Sequence, residues 1–214
     1  MNVQYRKEIS VLLLLLFLPL LFIPIGGYYQ WLLGYTYLMV LQGYVAWFLV
    51  YKVGQSFFGY AALLGVGAYT TGVALNSYHW SMLPAALLAI CVTAAISVAM
   101  FLATSRQKGF YMGLTSFLIV ILFQSVAAAS PILGKSWGIS IETMESLVGF
   151  NTFYVLMSVA TVACVGIIFW IMRTETGKVF SLICQNEELA KAVGIYTARY
   201  KIIAYLIGGI MSGF

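Results

Sequence analysis

Charge is almost missing from long stretches of this chain, and that feature constrains its fold most. Only 8% of the 214 residues are charged, while 63% are hydrophobic. An ordinary soluble domain carries about 25% charged residues. A surface this poor in charge faces lipid rather than water. Six segments each run for most of the roughly 20 apolar residues that cross about 30 Å of hydrocarbon. They are residues 9–25, 31–51, 57–78, 82–104, 110–130 and 152–172, and none contains Asp, Glu, Lys or Arg. The expected fold is all-α: a polytopic transmembrane helical bundle forming one domain over residues 1–214.

The breaks between segments have local causes. Gly26-Gly27 ends the first, the stretch from His79 to Pro84 turns the chain after the third, and Pro131 ends the fifth. Arg6 and Lys7 ahead of a Leu-rich run also fit a signal peptide. The run is long for one, and no A-x-A site follows it, so a first span is expected. A seventh apolar segment, Ile202 to Phe214, reaches only roughly 20 Å at about 1.5 Å per residue. A helix ending there leaves its last carbonyls in lipid without partners. It is expected to be the start of a span that a longer protein completes; a short terminus tucked among other helices is the alternative.

Positive charge orients the chain. With the N-terminus in the cytoplasm, the inner side receives Arg6, Lys7, Lys52, Arg106, Lys108, Arg173, Lys178, Lys191, Arg199 and Lys201. The outer side receives only Lys135. The reverse threading breaks the rule at every loop. Cys91, Cys164 and Cys184 are far apart in sequence and suggest neither a disulfide framework nor a metal site. No cofactor or metal is expected.

Three stretches depart from generic membrane helix. The first runs from Gly54 and Gln55 through Gly59, Ala61, Gly65 and Gly67 to Tyr69. Small residues at helical spacing, Ala61 with Gly65 and Ala68 with Gly72, let helix backbones approach closely. Gly54, Gln55, Ser56 and Gly59 could also loosen the start of the helix and line a pathway, because unwound backbone at membrane depth needs burial or a cavity. Both roles stay open. The second stretch, Arg106-Gln107-Lys108-Gly109-Phe110-Tyr111, reads as a basic turn anchoring the next helix.

The third lies within the polar segment 173–201. Asn186 is a good N-cap; Glu187 and Glu188 suit the positive helix end. Glu187 and Lys191 form an i,i+4 pair, and Gly194 is placed to stop the helix. Leu189, Ala192 and Val193 form a small apolar stripe. A short capped helix from Asn186 through Ala190 to Ile195 is expected to dock on a cytoplasmic partner; lying on lipid is the plainer alternative. No intramembrane carboxylate or base offers a proton relay. His79 stands alone beside Trp80 in an outer turn, and no catalytic set accompanies it.

Taken in order, these stretches resemble the permease subunits of branched-chain amino-acid ABC transporters. That family has a G-Q-x-S-x-G-x-A-A-x-x-G-[IV]-G-A-Y run, met here by Gly54, Gln55, Gly59, Ala61, Ala62, Gly65, Val66, Gly67, Ala68 and Tyr69. Its serine falls on Phe57, with Ser56 one place earlier. Arg106, Gly109 and Tyr111 match an R-x-x-G-x-Y opening. Gly177, Lys178, Ile183, Asn186, Glu187, Ala190, Gly194, Ile195, Lys201, Ala204 and Tyr205 match the cytoplasmic segment, with Leu182 and Leu189 in place of family alanines.

The resemblance implies a permease that is not itself an enzyme. It implies a second permease subunit, two cytoplasmic ATP-binding subunits and an external solute-binding protein as partners, in the plasma (inner) membrane. It makes residues 173–201 a coupling segment. Urea or short-chain amide permeases share these motifs, so the solute stays open. A secondary transporter, or a membrane enzyme with its catalytic cluster elsewhere, is a more distant alternative.

Overall fold

The computed structural model describes residues 27–107, 109–139 and 150–213. Among them every regular element is helical. In chain order these are α1 (Gly27–Trp47), α2 (Tyr60–Tyr78), α3 (Met82–Thr104), α4 (Phe110–Ala129), α5 (Phe150–Arg173), α6 (Glu175–Gln185), α7 (Glu187–Ala192) and α8 (Thr197–Ser212). A π-helical turn, Phe48–Lys52, follows α1, and a 3₁₀ turn, Lys135–Trp137, follows α4. The expected first span, residues 9–25, lies outside the described residues.

Among the described residues three helices are long and apolar enough to cross a membrane: Leu32–Lys52, Met82–Thr104 and Phe110–Ala129. A fourth is reached when Met157–Arg173 and Glu175–Gln185 are taken as one broken span. Helix α2 has 19 residues, yet Gly65, Gly67, Thr70, Thr71, Gly72 and Asn76 hold its hydropathy down. Its inner face is nonetheless buried, through Ala62, Leu63, Val66, Gly67, Ala74 and Leu75.

The chain divides into two compact units. One holds the described residues up to Tyr44 together with α5. Here Tyr44 meets Phe169 edge to face at 5.8 Å. Ser158 and Thr161 are buried on α5, and each hydroxyl donates back to its own helix, to the carbonyls of Val155 and Met157. Polar side chains can therefore sit on this helix without an orphaned donor.

The other unit holds the described residues of Val45–Ile141 and Thr174–Phe214. Helix α3 is its spine, packing most extensively against α8 and α2. Small residues permit that approach. A Cβ added at Gly209 would lie 2.6 Å from the Ser97 Cβ and 3.1 Å from the Ala94 Cα, and one added at Gly213 would collide with Thr93. The Ser97 hydroxyl donates to the Tyr205 carbonyl at 2.5 Å, a bond between α3 and α8. At one end of these helices the Tyr205 ring touches Phe57 (4.8 Å) and Phe101 (5.0 Å). Nearby, Phe180 touches Phe48 (5.6 Å) and Tyr200 (6.3 Å).

Three sequence expectations shift. Helix α2 begins at Tyr60 rather than at residue 57, after a non-helical stretch in which Gly54 takes φ +74°. The segment 173–201 is largely helical: α6 buries Gly177, Phe180 and Ile183, one every third residue, while Glu175 and Lys178 pair on its exposed side at 2.8 Å. The last helix starts at Thr197, ahead of Ile202, because its first turns carry buried Thr197 and Lys201.

Candidate functional site

Two places gather the residues picked out by sequence: the short helix α7 and the start of α2 with the cleft beside it.

Helix α7 is capped at both ends. The Asn186 Oδ1 accepts from the Leu189 backbone N–H at 3.0 Å, and Asn186 itself is extended, as an N-cap should be. At the other end Gly194 has φ +88°, Gly194 N–H donates to the Lys191 carbonyl, and Ile195 N–H donates to the Ala190 carbonyl, both at 3.0 Å. That pair of bonds is a Schellman stop, which needs a left-handed residue and so favours glycine. The helix is shorter than expected: Val193, Gly194 and Ile195 all lie in the stop. Of its apolar residues Ala190 is buried, whereas Leu189 is 61% and Val193 74% exposed. Glu188 and Ala192 are exposed too. The helix therefore presents Leu189 and Val193 outward on a frame that its own caps hold rigid.

The Glu187 carboxylate ties this helix to α8. Its Oε2 accepts from Lys201 Nζ at 2.7 Å; its Oε1 accepts from Thr197 Oγ1 at 3.4 Å and pairs with Lys191 Nζ at 3.0 Å. Partial burial pushes this acid up, but hydrogen bonds and charge from Lys201 and Lys191 outweigh it and hold it down at about 2. The Glu187–Lys191 pair was visible as i,i+4 spacing. Lys201 was not visible as a partner, lying far along the chain. Its one signal was an ammonium at the head of an apolar helix.

The glycine run splits into two functions. Gly54 packs its backbone on α6: an added Cβ would lie 3.0 Å from the Cys184 Cα. Gln55 beside it is buried, its N–H bonded to the Leu49 carbonyl at 2.9 Å. At Gly59 an added Cβ would strike the Phe57 ring. Along α2, Gly65 faces the Phe123 ring of α4 and Gly67 faces the backbone of Gly213 after α8. Ala61 and Tyr69 line a cleft of about 510 Å³ between α2 and α4, together with Phe123, Gln124 and Lys135. Gly54, Gln55 and Gly59 do not line it. The Ser116 hydroxyl, also unmarked as a site by sequence, accepts from the Phe58 N–H at 3.0 Å and fixes the loop ahead of α2 to α4. Arg106 and Tyr111 are exposed; Lys108 lies outside the described residues.

The family model for the permease component of branched-chain amino acid transport systems matches residues 31–214. The chain belongs to this family. It is a membrane permease component, and the match takes in α7, the glycine run and the cleft alike. No curated protein and no solved structure matches the chain.

Proposed function

We propose that this chain is the membrane-spanning permease subunit of an ABC importer that moves branched-chain or other hydrophobic amino acids across the plasma (inner) membrane. Two cytoplasmic ATP-binding subunits hydrolyse the ATP, a second permease subunit completes the pathway, and an external solute-binding protein delivers the solute. The chain itself is not an enzyme. It crosses the membrane with six spans ahead of its last apolar helix, with its N-terminus in the cytoplasm.

The observation that carries the reading is α7. A helix of six residues does not hold its shape alone in water. This one is capped at both ends, bonded through Glu187 to α8, and offers exposed Leu189 and Val193. Such a knob suits a cleft in an ATP-binding subunit. Closure of those subunits around ATP pushes a stiff element, and the push passes to the attached spans. The residues Asn186, Glu187, Glu188, Leu189, Ala190, Ala192, Val193, Gly194 and Ile195 form that coupling element. Ala61 and Tyr69, on the cleft, face the solute pathway, while Gly65 and Gly67 set helix spacing.

The test is uptake of labelled leucine by the full-length complex in proteoliposomes with solute-loaded binding protein. Uptake is expected to require ATP and to stop when either ATP-binding subunit is left out. Uptake driven by an ion gradient without ATP rules the importer reading out. Preferential uptake of urea over leucine keeps the importer and changes its solute.

A further inference from the structure

A rigid knob moves a membrane helix only if the joint between them is rigid too. The covalent joint between α7 and α8 is the short stretch Val193–Tyr196, in which Gly194 sits at φ +88° and Tyr196 is 68% exposed. The bonds of Gly194 and Ile195 tie this stretch back to α7 but reach no residue of α8. Something else has to fix the angle between the two helices.

Glu187 sits in the first turn of α7 and Lys201 in the second turn of α8, and their charged groups meet at 2.7 Å. The Lys201 side chain is only 10% exposed, and Glu187 is 26% exposed. An ammonium withdrawn this far from water is tolerated only while it is paired, so separation of the two helices is strongly opposed. The Glu187–Lys191 pair within α7 differs: its lysine is 50% exposed, and such pairs contribute little. One turn beyond Lys201, Tyr205 is gripped between Phe57 and Phe101, and its carbonyl accepts from Ser97 of α3. A continuous set of contacts therefore runs from Glu187 through Lys201 into the α3–α8 interface.

Resting on the importer reading above, we infer that Lys201 is a positioning residue for transport. Its ion pair with Glu187 locks α7 and α8 into one lever, so that movement of the docked helix reaches the membrane. Lys201 acts by holding the angle of α7.

Two measurements on the full-length complex test this. Spin labels at the exposed positions Ala192 and Ala198 report the distance distribution between α7 and α8. It is expected to be narrow with Lys201 and to broaden in Lys201→Met and in Glu187→Gln. Solute imported per ATP hydrolysed is the second readout. It is expected to fall severalfold in Lys201→Met. Lys201→Arg, which keeps the charge and the donors, is expected to recover most of it. A distribution as narrow in both variants as in the parent overturns the inference, as does an unchanged ratio in Lys201→Met. If Lys201→Met does not assemble, Glu187→Gln decides the same two questions. Absence of ATP-dependent uptake by the parent complex counts against the importer reading instead, and leaves the label distances to judge the lock.

Discussion

Gly67 and Gly213 meet backbone to backbone: a Cβ added at Gly67 would lie 3.0 Å from the Gly213 Cα and 3.3 Å from its carbonyl oxygen. Gly65, two residues earlier on α2, faces the far edge of the Phe123 ring instead. Backbone cannot step aside, whereas a ring can rotate. Gly67→Ala is therefore expected to destabilise the full-length protein by about 1–3 kcal/mol, the usual cost of overpacking. Gly65→Ala should cost less, and Leu at either position more than Ala. Unfolding in detergent ranks the variants; equal tolerance of Ala at both positions counts against this packing.

Ala190→Pro removes the N–H that bonds the Asn186 carbonyl at 3.0 Å. It places a proline inside α7, at a cost of about 3 kcal/mol. The variant is expected to insert in the membrane and accept the solute-binding protein. It should lose ATP-binding subunits on purification, or lose solute-stimulated ATP hydrolysis. Retention of both at parental levels removes α7 as the docking element.

The Glu187 acid titrates at about 2 in the fold, against an ordinary 4.5. A lowered value means that the fold favours the ionised form. Its contribution is fully present above about 4.5 and is lost as pH falls toward about 2. The difference in unfolding midpoint between the parent and Glu187→Gln should be flat from neutral pH down to about 5 and shrink below that. A difference that shrinks instead between neutral pH and about 5 contradicts the assignment.

Ser97→Ala deletes the one side-chain donor to the Tyr205 carbonyl among the described residues. Hydrogen bonds between membrane helices average about 0.6 kcal/mol, so a small loss of stability is expected. Ser97→Leu should be far worse, because Gly209 leaves no room there. Thermal unfolding of the two variants separates the bond from the packing.

Cysteine labelling reads the topology. In a cysteine-free background an impermeant reagent should reach a cysteine at Trp137, which is 98% exposed, from outside. It should reach one at Lys178 only after the membrane is opened. External labelling at Lys178 reverses the threading.

The fold was legible where punctuation is chemical. The uncharged run 82–104 reads as a span, and α3 covers it, with the turn from His79 to Pro84 at its start and Arg106 just past its end. The Asn186 cap and the Gly194 stop were legible for the same reason. Helix α6 was not, because its buried residues Gly177, Phe180 and Ile183 are few and lie among charged and hydroxylated neighbours. Spacing along α2 suggested a stripe of Ala61, Gly65, Ala68 and Gly72. In fact Gly65 and Gly67 serve different neighbours, and only tertiary packing decides which. The Lys201 partnership joins two helices across a turn, a relation that helical periodicity within either one does not encode.

The burial of Phe180 on Phe48 and the seating of Gly54 against Cys184 bear on how such permeases can be recombined. Residues 173–201 look like an interchangeable cassette when only their exposed side is considered. They are not self-contained, since the π turn and the glycine loop from elsewhere in the chain complete their packing. A chimera that borrows this stretch from a relative must bring along the relative's counterparts of Phe48 and Gly54. Otherwise the graft sits on a base that no longer fits it.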